Sequence, residues 1–209
     1  MKKGFIAGFG CAGIGIIALV VLGIIALIIG VPFYNNGIDL KENATSQWAN
    51  VESSYQRRAD LIPNIVNTAK GYAQFEQETL TKVIEARSKA TAVTIDPSNI
   101  TPQQLEQFQQ VQSGLSSALS RLLAVVERYP DLKANENFKE LINELSRTEN
   151  RINTERNRFN EQVNPFNKHI KKFPGSFINN FIGKFEEMAY FEADEGTDKA
   201  PEVEFDFSN

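Results

Sequence analysis

The chain has 209 residues, 42% of them hydrophobic and 23% charged, with a formal net charge of −4. All 26 acidic residues lie beyond Ile38, together with every basic residue except Lys2 and Lys3. This acidic excess argues against nucleic acid and against tight binding to an anionic bilayer surface, both of which reward clustered Lys and Arg. A single cysteine, Cys11, and a single histidine, His169, exclude a disulfide, a zinc–thiolate site and most multi-histidine metal sites.

Residues Phe5 to Val31 carry no charged side chain. The run exceeds the roughly 20 apolar residues that cross a hydrocarbon core, which predicts a membrane helix. A cleaved signal peptide would need a shorter apolar stretch ending in small residues. Here the run ends at Val31-Pro32-Phe33-Tyr34, and Cys11 lies inside it rather than at its end, so an uncleaved anchor is expected. Lys2 and Lys3 precede the run, and Lys41 is the first basic residue after it, which places the amino end in the cytoplasm and the rest of the chain outside. Gly4, Gly8 and Ala12 fit the small-x-x-x-small spacing that lets two membrane helices approach, so a homodimer through this face is one reading; the other is the ordinary abundance of glycine in membrane helices.

Beyond the anchor, apolar residues recur every three or four positions. A first helix follows Leu40, Ala44, Trp48, Val51 and Tyr55, and stops or kinks at Asp60-Leu61-Ile62-Pro63. A second follows Ile65, Ala69, Tyr72, Leu80 and Val83. After the loop Val93–Ile100, Thr101-Pro102-Gln103-Gln104 supplies a cap residue, a proline at the first helical position and a capping-box glutamine. The third helix then runs through Leu105, Phe108, Val111, Leu115, Leu119, Leu122 and Val126. Tyr129-Pro130-Asp131 ends it. A fourth spans about Asn135 to Lys171, with Pro165 expected to bend it. Phe177, Phe181 and Phe185 fit one short amphipathic helix, either a lid over the end of the bundle or a membrane-active segment.

The expected architecture is all-α: a membrane anchor (1–34), an antiparallel up-and-down bundle of four helices (35–191) and an acidic disordered tail (192–209). Three long helices are the alternative if Pro63 only kinks its helix. The tail segment Glu202–Phe207 alternates charged and apolar residues, a pattern that suits strand addition to a partner.

Charges interrupt two of the apolar stripes. Glu76 and Arg87 fall on that of the second helix, Glu155 and Arg156 on that of the fourth. Buried charges need partners, so these residues are candidates for an interhelical polar layer. The same layer could be a cleft for a ligand or metal, or the charges could lie on the surface. Asn150, Asn153, Asn157, Asn160, Asn164 and Asn167 share one sector of the fourth helix, either as a partner surface or as a solvated face. No nucleophile–base pair, phosphate loop or histidine-rich metal motif is present, so neither catalysis nor a cofactor is expected.

Several stretches taken in order resemble the LemA family: Arg57-Arg58-Ala59-Asp60-Leu61-Ile62-Pro63-Asn64, Gly71-Tyr72-Ala73, Glu76, Ala86-Arg87, Tyr129 to Phe138, Thr148-Glu149-Asn150-Arg151-Ile152, Phe173-Pro174 and Tyr190-Phe191-Glu192-Ala193. The resemblance implies a single-pass bacterial membrane protein with a helical bundle and no established catalytic activity. Its motif residues include Glu76, Arg87 and Glu149, which adds Glu149 to the candidate polar layer. An interaction or scaffold protein contacting other envelope proteins is the leading expectation, and a ligand or metal sensor is the alternative.

Overall fold

The computed structural model describes the backbone of residues 4–72 and 76–192, and side chains over 15–72 and 76–192. The described residues contain helices and no strand. Helix α1 spans Gly4–Lys70, α2 Gln77–Ala92, α3 Pro102–Val126, α4 Pro130–Ala134, α5 Glu136–Lys171 and α6 Gly175–Ile178, followed by a π-helical turn at Asn179–Gly183.

α1 has 67 residues, about 100 Å at 1.5 Å per residue. It carries the apolar run and continues without interruption into the core. Pro32 and Pro63 both lie inside it. Pro63 therefore ends no helix, and the chain turns instead at Gly71-Tyr72. Ile65 and Ala69, expected on the second helix, belong to α1, while Leu80 and Val83 belong to α2.

The cost of carrying Pro63 is met from outside the helix. A proline has no amide hydrogen, so the carbonyl four residues earlier, that of Ala59, loses its helical donor. Arg87 of α2 supplies one: its Nε donates to the Ala59 carbonyl at 2.7 Å.

Contacts between α1 and α5 pair rising with falling residue numbers: Asn36 with His169, Gln47 with Glu155, Arg58 with Glu149. These two helices run in opposite directions. α2 packs mainly on α3 and also on α1. Thr101 caps α3 in the expected capping box, accepting from the Gln104 amide through its hydroxyl while its own amide donates to the Gln104 side chain. Asn135 caps α5 by accepting from the Phe138 amide at 2.9 Å.

The buried side chains form two clusters. One, distant from the apolar run, gathers Ile62, Ile65, Leu80, Leu119, Leu122 and Leu145. The other gathers Trp48, Phe108, Phe159, Phe166, Met188 and Phe191. Trp48 centres the second: Phe108 and Phe159 meet its ring edge-on at 5.5 and 5.4 Å, and Phe191 stacks on it at 5.8 Å.

Candidate functional site

Between the two clusters lies Arg58, which continues the core register of α1 between Tyr55 and Ile62. It is 2% exposed. A guanidinium taken out of water needs acceptors on several sides, and α3 and α5 provide them for its two Nη groups. Nη1 donates to Glu149 at 2.8 and 3.1 Å and to the Ser116 hydroxyl at 2.8 Å. Nη2 donates to Gln112 Oε1 at 2.5 Å. The Tyr55 ring lies beneath the group, 5.1 Å from its carbon. Gln112 then donates through Nε2 to the carbonyl of Ala90 at 3.2 Å, near the end of α2, where carbonyls lack helical donors. The chain Glu149–Arg58–Gln112–Ala90 thus links α5, α1, α3 and α2 through one polar spine.

The sequence-derived candidates distribute around this spine rather than forming one layer. Glu149 belongs to it. Arg87 lies on α2 about one turn before Ala90, and its Nε holds the proline-freed carbonyl of Ala59, the residue next to Arg58. Glu155 is buried separately, accepting from Gln47 at 2.8 Å and from Arg158 at 3.1 Å. Glu76 is exposed at the start of α2 and pairs with Arg128 at 2.7 Å. Arg156 sits over the Phe191 ring at 5.0 Å and donates to the Glu192 carbonyl at 2.7 Å. Gln112 and Ser116 escaped the sequence reading, and Arg58 entered it only within the stretch that carries the family resemblance, not as a polar-layer candidate. The available signal was register: Arg58 and Gln112 each occupy a core position between apolar neighbours of the same stripe.

The asparagine series divides in two. Asn150, Asn153, Asn157 and Asn164 are exposed. Asn160 and Asn167 instead hold an extended strap, residues 184–192, against α5. The Asn160 amide donates to the Phe191 carbonyl and accepts from the Phe191 amide, both at 2.8 Å. Asn167 does the same with Met188, at 2.8 and 3.0 Å. The spacing explains the pairing. Seven helical residues rise about 10.5 Å, and three extended residues span about 10 Å, so two amides two turns apart meet every third strap residue. Asn179 makes a third such pair with Phe185, both contacts at 2.9 Å. Met188 and Phe191 are thereby delivered into the aromatic cluster.

At the apolar end, His169 of α5 stacks on Phe33 at 4.2 Å, and its Nε2 donates to the Phe33 carbonyl at 2.9 Å. Nδ1 lies 3.4 Å from Asn36 Nδ2. Gly175 is buried here, and the position requires glycine because a Cβ would lie 2.2 Å from the His169 carbonyl oxygen. Of the three phenylalanines expected on one short helix, Phe185 falls beyond it, after Lys184 at φ 48°, and packs inward against Phe166. Phe177 and Phe181 face outward.

The pair Gly4 and Gly8, with Ala12, lies in the part of α1 whose side chains are not described, and residues 193–209 of the acidic tail lie outside the described residues. Among the described residues no group of His, Cys, Asp and Glu is arranged to hold a metal ion.

Fold and site together define a membrane-associated helical protein: one helix long and apolar enough to cross a bilayer, continuous with a core organised around a polar spine. The LemA family model matches residues 47–205, so the chain belongs to the LemA family. It is 25% identical to the magnetosome protein MamQ 2 of Paramagnetospirillum magneticum, over 76% of this chain and 64% of that protein. Against Protein LemA of Metamycoplasma hominis it is 30% identical, over 53% of this chain and 46% of that protein. The magnetosome protein MamQ of Magnetospirillum gryphiswaldense is 25% identical over 84% of this chain and 71% of that protein. The chain thus spans just under two thirds of the length of MamQ 2 and about half that of the mycoplasma protein.

Proposed function

We propose that this protein is a membrane-anchored, non-catalytic interaction module: an antiparallel up-and-down bundle of four helices held at a fixed pose above the bilayer, presenting its flank to other envelope proteins. The observation that carries this reading is the unbroken helix α1, shared between the apolar run and the core. A flexible linker would let a domain search in solution; a common helix orients it. The antiparallel pairing of α1 with α5 and the packing of α2 on α3 support the bundle topology. The polar spine supports structure over sensing, because Arg58 spends its Nη donors on Glu149, Ser116 and Gln112.

The exposed Asn150, Asn153, Asn157 and Asn164 form the proposed partner face. Photocrosslinking amino acids at Asn153 and Asn157 in intact cells should capture discrete protein partners absent from a control at Lys133. Identical products at all three positions would reject the face. For orientation, Lys2 and Lys3 favour a cytoplasmic amino end, and cysteine labelling from outside intact cells should modify Lys133→Cys; protection of that site would reverse the topology.

A further inference from the structure

The segment after α5 has a second outward surface that the core does not use. Phe173, Phe177 and Phe181 are 87%, 62% and 69% exposed, and Ile182 is also exposed. Phe177 and Phe181 contact each other at 4.9 Å between ring centres. Large aromatic side chains clustered in water are costly, by roughly 25 cal/mol per Å² of apolar area.

Their position says what covers them. Ile182 packs against Gly30, inside the apolar run, and Gly175 lies against Phe33, two residues beyond its end. The aromatic surface therefore sits beside α1 where its own apolar side chains cease. Lys168, Lys171, Lys172 and Lys184 are exposed on the same end. Lys171 pairs with Glu187, while no ion pair is found for the other three among the described residues. The chain is acidic overall, yet Lys168, Lys171 and Lys172 lie within five residues at the end of α5, and Lys184 follows the π-helical turn. Aromatic rings at the apolar boundary with cations just above them match the two layers of a bilayer interface.

We propose that residues 173–184 are an amphipathic foot, seated in the headgroup–acyl boundary of the same bilayer that takes the apolar run of α1. Phe177 and Phe181 insert, and the lysines contact lipid phosphates. The foot rests on the membrane-anchored reading and adds a second contact beside the span, which fixes the tilt of the bundle.

The test uses the full chain in lipid nanodiscs, in a Cys11→Ser background, with single fluorophores at Asn180→Cys (the foot), Gly23→Cys (the span) and Lys133→Cys (the far end). Doxyl-labelled lipids quench fluorophores within the bilayer. The expected result is quenching at Gly23 and at Asn180, strongest at Asn180 for a shallow quencher, and none at Lys133. Phe177→Ser with Phe181→Ser should return the Asn180 label to the Lys133 level. Quenching at Gly23 with none at Asn180 overturns the foot while leaving the anchor intact. An unquenched Gly23 label removes both. Quenching at Asn180 that survives the double substitution overturns the role of the two rings.

Discussion

Arg87 and Pro63 are coupled through a single oxygen atom. Ala59 is buried, so its carbonyl without a donor would cost about 1–3 kcal/mol. Arg87→Met should destabilise the chain by that amount in chemical unfolding followed by circular dichroism. Pro63→Ala restores a backbone amide, and in that background Arg87→Met should cost clearly less; equal losses in both backgrounds would refute the coupling. Arg58 gives an asymmetric pair. Glu149→Ala leaves a buried cation with only neutral acceptors and should cost about 3 kcal/mol. Arg58→Met leaves the Gln112 oxygen unpaired but lets Glu149, whose side chain is 35% exposed, return to water, so a loss of about 1–2 kcal/mol is expected. At the exposed turn before α3, the Ser98 hydroxyl and amide donate to Asp96 and hold its carboxyl below the usual range. That contribution to the turn is present above the unfolded pKa and is lost as pH falls through the lower folded one. Ser98→Ala should raise the Asp96 titration midpoint in an NMR pH series.

The strap is the element whose stability depends most on a few side chains. Asn160→Ala or Asn167→Ala removes two hydrogen bonds and leaves a strap amide and carbonyl unpaired, and each should cost about 2 kcal/mol. Cleavage between Lys184 and Glu192 in limited proteolysis should quicken accordingly. Asn150→Ala and Asn153→Ala should change neither quantity. These four asparagines look alike in sequence, and that is why the strap stayed hidden there: six of them in one sector read as a single surface. What separates Asn160 and Asn167 is an extended segment arriving from twenty and more residues away. The helices themselves were legible, since their apolar periodicity and the Thr101 capping box are local. The end of the first was not, because Pro63 is a local stop signal whose remedy, Arg87, comes from another helix.

For the whole molecule, the polar spine divides the core into an aliphatic half and an aromatic half, and only the aromatic half recruits the strap and the segment beside the membrane. The composition of that half was visible in the sequence, but its proximity to the bilayer follows from α5 running back along α1. The uninterrupted α1 also has a consequence for direction. A helix turns about 100° per residue, so the number of residues between the apolar run and Trp48 sets the compass bearing of every face of the bundle within the membrane plane. One residue inserted after Tyr34 would swing the asparagine-bearing flank by about a quarter turn and pull Gly30 and Phe33 out of step with Ile182 and Gly175. Length in this stretch acts as an angle.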